Sequence, residues 1–199
     1  MIAFKGFTPD LTSRLGNGVK KDCTFTPGCT MTAQESKTAR TGYHCCENPF
    51  ECLSYYEWDG RNRFFKVIAE GDIDEDDSER ISCTQITLEQ ELNLFQFAME
   101  GMKYMIEHPQ RPWQQERRRC QAKEEKAEAT EEFGIAIARG ENPKVRGVKG
   151  SVLGIILEKD GEIQLAKIME LKGIYEEFAD KWITINQKRE VKVLEEEGD

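Results

Sequence analysis

"PWQQERRRCQAKEEKAEATEEF", residues 112–133, reads as a helix, and that reading sets the fold class of the whole chain. Pro112 suits the first helical position, where a missing amide costs nothing. Behind it Trp113, Cys120 and Ala127 recur at seven-residue intervals, a thin apolar stripe. The charges run against the reading. Arg117, Arg118 and Arg119 stand in the first half, while Glu124, Glu125, Glu128, Glu131 and Glu132 crowd the second. Acids at the negative end of a helix cost a few tenths of a kcal/mol each. A lone helix would not carry that order, so the segment is expected as a solvated connector or as a surface helix whose charge a partner complements.

Upstream, Leu88, Leu92, Phe95, Met99, Met102 and Ile106 fall at the helical period, and Pro109 ends the run. Thr87 and Gln90 are spaced as a capping box, which starts this helix near Leu88. Its methionines read as core. The chain before it alternates like strands in "MIAFKGF", "GYHCC", "RFFKVIAEGDI" and "ISCTQITL", with two short β pieces around "CTFT" and "CTMT". Asn48, Pro49 and Glu51 are a cap oxygen, a proline at the first position and an acid in the first turn. They predict a short helix over 49–57, with Phe50, Leu53 and Tyr56 facing inward.

After Gly134 the texture turns β-branched and Gly-punctuated, with hairpin turns at "KDGE" and across Asn186–Arg189. The expected class is therefore α+β. It consists of an N-terminal mixed β/α domain (1–92), a helical segment carrying two central helices (93–133) and a small C-terminal antiparallel β unit (134–199).

With 38% apolar residues the 199-residue chain has material for a core. A net charge of −9 repels nucleic-acid backbone and favours basic partners. The longest apolar run, "VLGIIL" at 152–157, is too short to span a bilayer, and "MIAFKGFTPD" does not resemble a signal peptide. Seven cysteines in that setting read as reduced thiols of a cytoplasmic protein. No membrane contact, no direct nucleic-acid contact and no cofactor are expected.

Four constellations bear on chemistry. Cys23, Cys29, His44 and Cys52 supply zinc-ligand types, but the spacing is C-x5-C twice and no tight C-x-x-C pair occurs. Asp72, Asp74 and Asp76 begin like a calcium loop that then fails, with Asp77 at the sixth position and Cys83 at the twelfth. His44 and Cys45, as strand neighbours, point apart and do not form a dyad. The order of parts also resembles the ADP-ribosyltransferase fold. That resemblance would give Lys5, His44, Glu89 and Glu91 the roles of an NAD-using site, with lysine standing where that fold has arginine or histidine. Glu89 and Glu91 are equally explained by the first turn of the strong helix.

"MIAFKGFTPDLT", "GYHCCENPFECLSYY" and "RFFKVIAEGDIDEDD" together resemble an uncharacterised domain family encoded by phages and prophages, as does the ending "GSVLGIILEKDGEI…DKWITI…REVKV". Relatives of that family often carry an inserted Gly/Ala-rich β-solenoid, here absent or reduced to "IAIARGENPKVRGVKG". The resemblance brings no catalytic residue. What remains is "EGDIDEDDSE", seven acids in ten residues. Asp72, Asp74, Glu75, Asp76, Asp77 and Glu79 are the candidate contact surface for a basic host or phage protein. The expected function is that of an acidic accessory protein inhibiting a host defence system, with the transferase as the alternative.

Overall fold

The computed structural model describes residues 1–14, 20–75, 80–109 and 111–195. It is mostly β, 52% strand and 14% helix, which overturns the α+β class and its pair of central helices. The chain divides into two compact units, Met1–Asn93 and Leu94–Asp199.

The first unit is a small closed barrel. Its strands are β1 (Ile2–Phe7), β2 (Thr12–Arg14), β3 (Lys20–Thr24), β4 (Thr30–Thr32), β5 (Tyr43–Cys46), β6 (Arg63–Glu75) and β7 (Arg80–Glu91). β1 lies between β5 and β6. β7 pairs β6 along one edge and β5 and β4 along the other, so the ring β7–β5–β1–β6 closes on itself. Closure gives each strand of the ring a partner on both sides. Alternation fills the interior: Ala3 and Phe7 from β1, Cys45 from β5, Phe65, Val67 and Ala69 from β6, and Ile81, Cys83, Ile86 and Leu88 from β7.

Asn48 caps the segment after β5 as its sequence predicts. Its side-chain oxygen accepts from the Phe50 amide at 3.0 Å, and Pro49 opens a 3-10 helix, Pro49–Ser54. Phe50, Leu53 and Tyr56 are buried. The Tyr56 ring lies flat on β1 because position 6 is glycine. A Cβ there would stand 2.6 Å from the ring.

The strong helix does not begin at Leu88. Thr87 is a strand residue whose hydroxyl meets that of Thr30 at 2.7 Å, and Leu88 sits opposite Val67 in the barrel. The apolar positions Ile86 and Leu88 belong to a two-residue period, and pairing with β6 outweighed the local capping signal. The helix α1 runs Leu94–Glu107, and its buried face is Phe97, Ala98, Gly101, Met102, Tyr104 and Met105. Met99, expected inward, is exposed.

The segment 112–133 is a hairpin, β8 (Gln114–Arg117) and β9 (Cys120–Ala129). Cys120 and Ala122 are buried on one side of Glu125, and Ala127 and Ala129 on the other. Glu125 has a left-handed backbone (φ 59°) and turns the corner between them. The seven-residue spacing of Cys120 and Ala127 is thus a two-residue period interrupted by one corner. The charges that are reversed for a helix are paired here: Lys123 of β9 with Glu116 of β8, Arg146 of β10 with Glu128 of β9, and Arg118 and Arg119 of the β8–β9 turn with Glu131 in the loop after β9.

β9 leads into β10 (Ile135–Gly147) and β11 (Val152–Lys159), all three parallel, so the C-terminal sheet is mixed rather than antiparallel. Parallel neighbours ordinarily need a crossover of a dozen residues or more. Here the strands bend instead, and the chain winds as a coil. Ile135 lies beside Cys120, fifteen residues earlier, and beside Val152, seventeen later. "IAIARGENPKVRGVKG" falls within a single turn of this coil. The Glu125 carboxylate accepts from the amides of Glu141 and Asn142 and so ties the corners of successive turns together. The interior is narrow and takes Ala127, Ala129, Ala136 and Ala138 with Val145, Leu153 and Ile155. On the outer face, a Cβ at Gly154 would crowd Ile137 and the Met102 sulfur, which shows how closely α1 lies on this sheet. Arg139 pairs with Glu158 at 2.7 Å and donates to the carbonyls of His108 and Pro109, closing the helix C-terminus.

β12 (Glu162–Glu170) pairs antiparallel with β11 through the expected turn at Asp160–Gly161. β13 (Ile183–Ile185) and β14 (Val191–Val193) form the second expected hairpin.

Candidate functional site

The barrel unit holds a cavity of about 440 Å³. Its floor is β1 and β5, where Lys5, Cys45 and Cys46 meet. Its sides are Phe25 and the 3-10 segment with Cys52, Tyr55 and Tyr56. Its rim carries Arg14 at the end of β2, Arg40 in the loop before β5 and Arg80 at the start of β7. Among the described residues no carboxylate lines it, in a chain whose net charge is −9.

Lys5 is the unusual member. It shares the inward face of β1 with Ala3 and Phe7 and is buried, 8% exposed. An ammonium group there loses water and must be compensated. Lys5 Nζ donates to the His44 carbonyl at 2.5 Å and lies 5.3 Å and 5.8 Å from the ring centroids of Phe7 and Phe25. The ring faces supply part of what water would have given. On the rim, the Arg14 amide donates to Tyr56 Oη at 2.7 Å. Among the described residues the guanidinium groups of Arg14 and Arg40 meet no carboxylate.

The thiols around the cavity are structural in character. All seven cysteines are free. Cys45 donates to Cys83, and that bond, with burial, pushes the Cys45 thiol well up; Cys83 is lowered, chiefly as its acceptor. Burial, with a hydrogen bond to Cys46, pushes Cys52 well up. Cys45 and Cys52 therefore stay protonated at neutral pH and are poor nucleophiles.

The structure scatters the zinc-type set: Cys29 is exposed and Cys52 is buried. Among the described residues no group of three or more His, Cys, Asp or Glu is placed to hold a metal ion. Lys5 and His44 share the cavity wall, whereas Glu89 and Glu91 lie at the end of β7 and do not line it. They do not occupy a helix first turn. Glu91 takes both ends of the Arg63 fork at 2.7 and 2.6 Å, which holds its carboxyl below the usual range.

In the acidic stretch, Asp72 accepts from Ser36, and Asp74 accepts from Lys37 and from both the amide and the hydroxyl of Thr38. Those bonds hold the Asp74 carboxyl far below the usual range. Both aspartates thus tie β6 to the 36–38 loop. Glu75 ends β6 and is exposed. Asp76, Asp77 and Glu79 lie outside the described residues.

Sequence reasoning missed Arg14, Arg40 and Arg80. They sit on three separate segments with no common spacing, and only the closed barrel brings them to one rim. The paired tyrosines at 55–56 were the one visible trace.

A family model described as a domain of unknown function (DUF7666) matches residues 1–100. No curated protein and no solved structure matches the chain. Among the described residues no helix is long and apolar enough to cross a membrane.

Proposed function

We propose, for this chain, which belongs to the DUF7666 family, that the barrel unit is a binding module for a small anionic ligand. One observation carries the reading. Lys5, Arg14, Arg40 and Arg80 converge on one cavity that no described carboxylate lines, although acids outnumber bases along the chain. Cations gathered against the overall charge, at a concave site of ordinary ligand size, favour an anion there. The thermal stability of the full chain tests this in inorganic phosphate and pyrophosphate, at low and high sodium chloride. A ligand at a hundred times its Kd stabilises by about 2.7 kcal/mol. Stabilisation should fade with salt and vanish in an Arg14→Gln, Arg40→Gln variant. Equal stabilisation of parent and variant would sink the reading.

The placement of charge supports a second reading. With four cations drawn to the cavity, the rest of the surface carries more than its share of the negative charge. Such an exterior suits a phage- or prophage-encoded accessory protein that captures a basic host or phage protein, such as a component of a host defence system. Capture from expressing cells should then be salt-sensitive and weakened by Glu75→Gln, Asp76→Asn and Asp77→Asn together, with Asp74 kept. Unchanged capture would remove this surface from consideration.

A further inference from the structure

Resting on the anion-binding reading, we infer that the ligand is a phosphomonoester carried on a flat ring system, of the size of a mononucleotide. Three features of the cavity point there. The first is the number and origin of the forks. Arg14, Arg40 and Arg80 come from three segments of the barrel. A carboxylate is planar and is satisfied by one bidentate guanidinium, whereas a phosphate offers peripheral oxygens in several directions.

The second is size. A cavity of about 440 Å³ exceeds what a bare phosphate fills. Its apolar lining, Phe4, Phe25, Cys45 and Cys52, offers a phosphate nothing to bond. An uncharged body attached to the anion would cover that wall and gain from its burial.

The third is Tyr55. It follows the 3-10 segment at the cavity and is 51% exposed. Its neighbour Tyr56 is packed beneath β1, so the two tyrosines divide the work: one builds the wall and the other stands open. A ring at the cavity with half its surface free is a platform for another ring, and stacking on it is indifferent to which base is presented.

Isothermal titration of the full chain at low salt tests this with four probes: inorganic phosphate, adenosine, adenosine 5′-monophosphate and cytidine 5′-monophosphate. Both monophosphates should bind at least tenfold more tightly than phosphate, and adenosine should give no measurable heat. Tyr55→Leu should weaken the monophosphates about tenfold, the size of one base–aromatic stack, and leave phosphate unchanged. Because Tyr55 is exposed, its variant should melt with the parent, which a thermal scan verifies. If phosphate binds as tightly as the monophosphates, or Tyr55→Leu changes neither, the ring is wrong and the anion site stands. If adenosine binds as tightly as its monophosphate, or if no anion binds, the anion site falls together with this inference.

Discussion

Replacing Gly6 by alanine should unsettle the barrel and the cavity in one step. The new Cβ would stand 2.6, 2.8 and 3.0 Å from three carbons of Tyr56, so the ring must move. Overpacking of this kind costs about 1–3 kcal/mol. Movement of the ring also breaks the bond from the Arg14 amide to Tyr56 Oη, another 0.5–1.5 kcal/mol or so. A loss of about 2 kcal/mol, low in that combined range, lowers the melting temperature of a unit this size by about 8–16 °C. The same displacement shifts Arg14 on the rim, so anion binding should weaken in the folded variant. Differential scanning calorimetry of parent and Gly6→Ala gives the number. A melting temperature within 2 °C or so of the parent would refute the contact on which the reasoning stands.

Asp74 titrates below its unfolded value because Thr38 and Lys37 bind its charged form. Its contribution is therefore present above about pH 4 and is lost as pH falls through the depressed folded value. Asp74→Asn should be less stable than the parent at pH 7, with the difference closing in acid, and a constant difference from pH 7 to 3 would contradict this. Ala138→Leu should lose about 1–3 kcal/mol in urea unfolding, since the coil interior has no room, whereas a neutral result would mean the turns are not stacked as described. Under native conditions a thiol reagent should modify Cys29 first and leave Cys45, Cys52, Cys83 and Cys120 protected, with all seven reacting after denaturation. Rapid modification of Cys52 in the folded chain would show that the cavity wall opens.

The N-terminal strands were legible because each carries its own alternation and each turn its own residues. Asn48 and Pro49 announce the 3-10 helix as clearly in sequence as in structure. Residues 112–133 were not legible in the same way. A corner at Glu125 shifts the phase of a two-residue pattern by one, and the sum imitates a heptad. The charge order had already objected, since arginines before glutamates is wrong for a helix and natural for strands that pair across. Leu88 misled for a related reason: a strand meeting a helix at Asn93 gives an apolar series that a single period can thread. Lys5 and His44, named in the sequence for the transferase alternative, line the cavity from strands with clear signatures. The rim arginines depend on pairings more than thirty residues apart, such as Cys46 with Arg80, which no local pattern encodes.

The coil and the barrel differ in how far apart in sequence their partners lie. In the coil, paired residues of β9, β10 and β11 are separated by fifteen to eighteen positions. In the barrel, Ile2 must find Ile68, and the ring cannot shut until β7 has been delivered. Rates of folding fall as such separations grow. In the half of the chain that leaves the ribosome first, β1 must wait through most of the synthesis of its own unit with an apolar face and a lysine destined for the interior still in water.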